Sequence, residues 1–98
     1  MLLLNLEQRD DTLHVRISGN LTKRNIYQLE YYMIPYIQKY QIKQLLCDCK
    51  KLKKIDYEGK YALLKTKMIL KEQHGKMILF DVKESIKNSL IGYRMHVQ

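Results

Sequence analysis

The chain has 98 residues, 46% of them hydrophobic, with one Pro, four Gly and no low-complexity run, which argues against disorder and linkers and fits a single domain around one core. A formal net charge of +8 directs attention to acidic counterparts: nucleic acid, a lipid surface or an acidic protein face. No apolar run is long enough to span a membrane, and "MLLLNLEQ" carries neither a basic leader nor a cleavage pattern; with its two thiols the chain is expected to be cytoplasmic.

In chain order, Leu2, Leu4 and Leu6 alternate with Leu3, Asn5 and Glu7, the period of a strand, and "RDD" supplies a turn. "TLHVRISG" follows with Leu13, Val15 and Ile17 on one side and His14, Arg16 and Ser18 on the other, so the chain opens as a β-hairpin ending at Gly19. From a candidate N-cap at Thr22, Ile26, Leu29, Met33, Tyr36, Ile37 and Tyr40 recur at spacings of three and four. They predict an amphipathic helix that Pro35 kinks or splits.

"QLLCDC" reads as a short buried strand, with Cys47 and Cys49 on the same face as Leu45. Two cysteines that close in one strand cannot reach disulfide geometry, and they read as small buried hydrophobes. His14, His74 and His96 stand at no zinc-binding spacing, so neither a metal nor another cofactor is expected.

The residues from Lys50 to Lys54 read as a lysine-rich loop leading to the acidic knot Ile55-Asp56-Tyr57-Glu58-Gly59. A second helix is predicted from Tyr57 or Glu58 to about Gln73, with Asp56 as N-cap, Glu58 as first-turn acid and Ala62, Leu63, Met68, Ile69 and Leu70 as its apolar stripe. Gly75 is placed to receive the chain beyond the helix end. "KMILFDV" is the next strand, Glu84 to Leu90 a short helix, and "GYRMHVQ" a final edge strand. The order β-β-α-β-α-β-α-(β) defines an α/β fold, a mostly parallel sheet with an antiparallel edge hairpin and packed helices.

Three stretches in this order resemble the STAS domain family, the sulfate-transporter and anti-sigma-factor-antagonist domains. "VRISGNLT" is similar to the family's strand ending in Gly-Glu-Leu-Asp. "LLCDCKKLKKIDYEG" is similar to its hydrophobic strand, loop and Ile-Asp-Ser-Ser-Gly element opening a helix. "HGKMILFDV" is similar to the strand before its last helix. The resemblance implies a single domain over residues 1–98, working by reversible protein binding as an anti-sigma factor antagonist does, with an anti-sigma factor that is also a serine kinase as one partner class. Asp56 and Gly59 fall on the motif Asp and Gly. Tyr57 falls on the phosphoacceptor position and Glu58 on the hydroxyl position after it. Upstream, Gly19 is kept while Asn20 and Thr22 replace the acidic pair.

The candidate partner-binding residues are therefore Asn20, Thr22, Lys23, Asp56, Tyr57, Glu58, Gly59 and Lys60, and the usual serine switch is expected to be missing. The alternative is an accessory subunit of a membrane transport complex, with lysines near lipid. A nucleic-acid-associated protein ranks third, because no Arg-rich run or Gly-aromatic RNA-binding pattern is present. Lys60, Lys67 and Lys71 share a helix side and are expected to extend the loop lysines into a basic strip. The tyrosines of the first helix are expected mainly in the core, with Tyr31 and Tyr32 flanking it and a helix-one contact as the alternative. No catalytic motif is found: there is no phosphate-binding Gly-rich loop, His-Glu-x-x-His or Gly-x-Ser-x-Gly.

Overall fold

A computed structural model of residues 1–98 has two layers, a six-stranded sheet and a layer of helices. The opening hairpin pairs β1 (Leu2–Arg9) with β2 (Thr12–Leu21) from Leu2↔Gly19 to Arg9↔Thr12. Its two-residue loop places Asp10 in the left-handed region (φ 54), which Asp tolerates better than most residues. β3 (Gln44–Asp48) runs parallel to the first half of β2 and to β5 (Lys76–Phe80), and a two-residue β6 (His96–Val97) closes the far edge.

Along the path β1-β2-β3-β5-β6 the order never reverses. Right-handed crossovers in one direction put every connecting helix on the same face of the sheet. Leu13, Val15, Ile17, Leu45, Cys47 and Leu79 face that layer and form one apolar cluster with buried residues of all three helices. His14 and Arg16, of opposite parity, are exposed. Arg16 meets Asp48 across the strands at 3.7 Å on this open face.

A strand stands where the sequence predicts a loop. β4 (Leu52–Ile55) pairs parallel with the end of β2, Asn20 opposite Lys54 and Leu21 opposite Ile55, with a register shift between Gly19 and Asn20. β2 is ten residues long and β3 only five, so the last residues of β2 would keep unpaired backbone groups. The chain after β3 returns to satisfy them. The two adjacent lysines erase the alternation that would have marked this segment as a strand.

The first helical region is continuous past Pro35. A π-helical turn, Leu29–Met33, runs directly into α1 (Ile34–Lys39), and the Ile34 N–H donates to the Leu29 carbonyl. The extra residue in that turn admits the proline, which lacks the N–H an α-helical ladder needs. It also rotates the phase of the side chains. Leu29, Met33, Ile34 and Ile37 are buried, whereas Tyr27, Tyr31, Tyr32 and Tyr40 are exposed. Only Tyr36 among the five packs against the core, its hydroxyl donating to Gln8 Oε1 at 2.5 Å. The expectation of a largely buried tyrosine set is thus corrected.

α2 (Tyr57–Glu72) buries Gly59, Ala62, Leu63, Thr66 and Leu70. Met68, placed on the apolar stripe from sequence, is 56% exposed, and Thr66 takes the inner face by donating its hydroxyl to the Ala62 carbonyl. The left-handed residue after α2 is His74 (φ 62) and not Gly75. The Gly75 N–H donates to the Leu70 carbonyl and the His74 N–H to that of Lys71, a Schellman ending. After β5 come α3 (Glu84–Leu90) and a short 3-10 turn, Ile91–Tyr93.

Candidate functional site

The ends of β2 and β4 bring the two motif stretches together. Asp56 adopts extended backbone geometry (φ −102, ψ −175), and its Oδ1 accepts from the N–H of Gly59 at 2.8 Å. This is N-capping as the sequence predicts. Its other carboxylate oxygen accepts from the backbone N–H of Lys23 at 2.9 Å, and its own N–H donates to the Leu21 carbonyl at 3.2 Å. One side chain therefore caps α2 and also pins the turn that leaves β2.

Gly59 explains the closeness of that joint. A Cβ there would lie 2.2 Å from the Leu21 carbonyl oxygen and 2.9 Å from Ile55 Cγ1. Only glycine lets the first turn of α2 rest on the end of β2. Gly19 is required for a second reason, a φ of +100 at the register shift, with Met1 O at 2.1 Å from any Cβ.

Thr22 does not cap the first helix with its hydroxyl. Its Oγ1 and its backbone N–H both donate to Asn25 Oδ1, at 3.0 and 2.9 Å, while its carbonyl accepts from the N–H groups of Asn25 and Ile26. Asn25, 8% exposed, is a residue the sequence reading missed. The Thr-x-x-Asn spacing was its available signal, since Asn side chains bond the backbone nearby.

The eight candidate residues divide by role. Asp56, Gly59 and the Thr22–Asn25 pair hold the joint. Tyr57, at the first helical position and 68% exposed, stands out from it, with exposed Lys23 on the neighbouring turn and half-buried Glu58 and Lys60. One turn on, Tyr61 is 52% exposed. Beyond it, Lys65 bridges α2 to Glu30 of the π-helical turn at 2.5 Å, and that hydrogen bond raises the Lys65 ammonium above its ordinary value. Asn20 turns aside and lines a separate groove with Lys50, Lys51 and Lys53.

Lys67, expected in a basic strip with the loop lysines, donates to the Arg94 carbonyl at 2.6 Å. Cys47 and Cys49 are buried and free. Burial pushes both thiols up, the nearby Cys49 adding to Cys47, and Cys49 reaches about 12 with Asp48 and Asp81 contributing. Neither is placed to act as a nucleophile.

The molecule is thus a one-sided α/β domain whose joint between β2, β4 and α2 is a capped helix start with an exposed aromatic side chain, Tyr57, projecting from it. Residues 4–92 match the family model described as "STAS domain", and the chain belongs to that family. No curated protein matches the sequence. The fold is shared with solved structures of low sequence identity. The anti-sigma factor antagonist SpoIIAA in its unphosphorylated form is 16% identical with a TM-score of 0.83, covering 98% of this chain and 87% of that one. A serine-to-glutamate variant of Moorella thermoacetica RsbS is 17% identical with a TM-score of 0.80, covering 97% and 85%. The murine Solute Carrier 26 family member A9 anion transporter is 16% identical with a TM-score of 0.76, covering 93% of this chain but 16% of the transporter.

Proposed function

We propose that this chain is a non-enzymatic regulatory domain that binds a protein partner as an anti-sigma factor antagonist does, through the surface around Tyr57, and without the usual serine-phosphorylation switch. STAS domains of this type are typically non-catalytic regulators. The observation that carries the reading is the division of labour at the joint. Asp56 and Gly59 are committed to structure. Tyr57 has no internal bond and presents an amphipathic ring, the side-chain type enriched at interfaces.

A serine kinase would find no serine at this helix start, and Glu58 supplies one fixed negative charge in the first turn. The partner class proposed is an anti-sigma factor, with binding that is constitutive rather than switched. An affinity pull-down compares the wild type with Tyr57→Ala/Glu58→Lys, and intact-mass measurement follows phosphate in cells. The reading expects a partner recovered by the wild type and lost, roughly tenfold or more as for an interface hot spot, by the double variant. Equal recovery moves the site elsewhere, and stoichiometric phosphate on Tyr57 ends the constitutive reading.

A second reading, an accessory subunit of a membrane transport assembly, draws support from the shared fold with part of an anion transporter. Gene neighbourhood separates the two: a sigma-factor operon for the first, a transporter operon for the second.

A further inference from the structure

Four lysines that the partner surface does not use come together at the carboxyl end of the sheet. Lys50 and Lys51 follow β3, Lys53 lies on β4 and Lys83 follows β5, yet all four line one groove of about 640 Å³. No carboxylate is among the lining residues. The molecule's three ion pairs, Arg9–Glu7, Arg16–Asp48 and Lys65–Glu30, lie elsewhere. Four unneutralised ammonium groups at one rim repel one another, and a fold gains nothing by collecting them.

The same rim carries exposed apolar side chains. Leu3 is 58% exposed and Met1 84%, and both line the groove. Leu3 points to the open face, where it adds nothing to the core that Leu2 and Leu4 serve. All four lysines are exposed rather than sunk into a pocket, so their donors do not converge on one buried anion. Apolar tips ringed by lysines match a bilayer surface, where ammonium groups meet headgroup phosphates and a short apolar element enters the acyl boundary.

We propose that this rim is a docking site for an anionic lipid surface. Leucine is what favours a bilayer over a free phosphate, since a phosphate site has no use for it. Asn20 lines the groove, and the next residue, Leu21, accepts the Asp56 N–H. A docked membrane would thus lie beside the Tyr57 surface. The proposal stands independently of the identity of the protein partner.

The test is co-sedimentation with vesicles of phosphatidylcholine alone and of phosphatidylcholine with phosphatidylglycerol. Binding to the anionic vesicles only, weakened by raised salt, is expected. Lys51→Gln/Lys53→Gln should lower the partition coefficient by about fivefold for each lysine. Leu3→Asn should lower it further with an unchanged thermal melt. Lys71→Gln/Lys76→Gln removes the same charge at the opposite end of the sheet and should keep wild-type binding.

An equal loss in that control overturns the site by reducing it to net charge, and so does equal binding to neutral vesicles or none to anionic ones. Inorganic triphosphate that binds stoichiometrically by calorimetry and displaces the protein from vesicles at matched ionic strength would make the groove a free-phosphate site and overturn the membrane reading.

Discussion

Asp56 shows how one carboxylate serves two segments. It bonds the N–H of Gly59 on α2 and that of Lys23 beyond β2, so Asp56→Ala removes a cap and a tether together. Loss of about 2 kcal/mol is expected, the upper range for a cap, read as a lower urea midpoint with unchanged slope; Asp56→Asn should recover part of it. Gly59→Ala is expected to destabilise by roughly 1–3 kcal/mol, although alanine is the better helix former. The new Cβ would meet a backbone oxygen that cannot move without shifting the end of β2. A stabilised Gly59→Ala protein would show that the joint between β2 and α2 is loose.

At the scale of elements, the first helical region illustrates how one proline sets a surface. The π-helical turn ahead of Pro35 carries the helix past the proline, with Tyr31 and Tyr32 exposed on it and Tyr36 just after it over the hairpin. Tyr36→Phe deletes the hydroxyl bond to Gln8 across elements and should cost about 1 kcal/mol in thermal or urea unfolding, leaving helix content by circular dichroism unchanged. The carboxyl ends of the two helical regions are also tied: the Gln73 side-chain amide donates to the carbonyls of Ile37 and Ile42, and Lys43 Nζ donates to the Gln73 carbonyl. These contacts fix α2 against α1 from the end opposite to the Asp56 joint. Helix periodicity located both helices and the inner face of the first, where Leu29, Met33 and Ile37 are buried, but the π-helical turn and the exposure of Tyr40 were not legible, because an extra residue within a turn leaves no mark on a three-and-four spacing.

For the molecule as a whole, the buried thiols link stability to alkaline pH. In the unfolded chain a thiol ionises near 9, and in the fold Cys49 is raised to about 12, chiefly by burial. Below the unfolded value both states hold the proton and stability is complete. Above it the unfolded chain releases the proton first, so stability falls as pH rises from about 9 to about 12. The slope approaches about 1.4 kcal/mol per pH unit for each thiol. Urea midpoints taken across that window should fall more steeply for the wild type than for Cys49→Ala, and equal slopes would assign the alkaline loss to other groups. The native thiols should also resist a disulfide reagent until denaturant is added.

The sequence by itself determined the element order apart from β4, the capped start of α2 and the apolar faces of most strands. These depend on local spacing: a period of two, a period near 3.6, an Asp three residues ahead of the N–H it caps. Only the tertiary structure decided that Leu52–Ile55 pairs as a strand, because the reason lies in the unpaired end of β2. It alone joined Lys83 to the lysines after β3, since parallel strands gather at one edge residues that the chain keeps far apart. It also separated the residues that build the joint from Tyr57, which projects from it. Motif matching cannot make that distinction, because a hydrogen bond such as Asp56 to Lys23 crosses between elements.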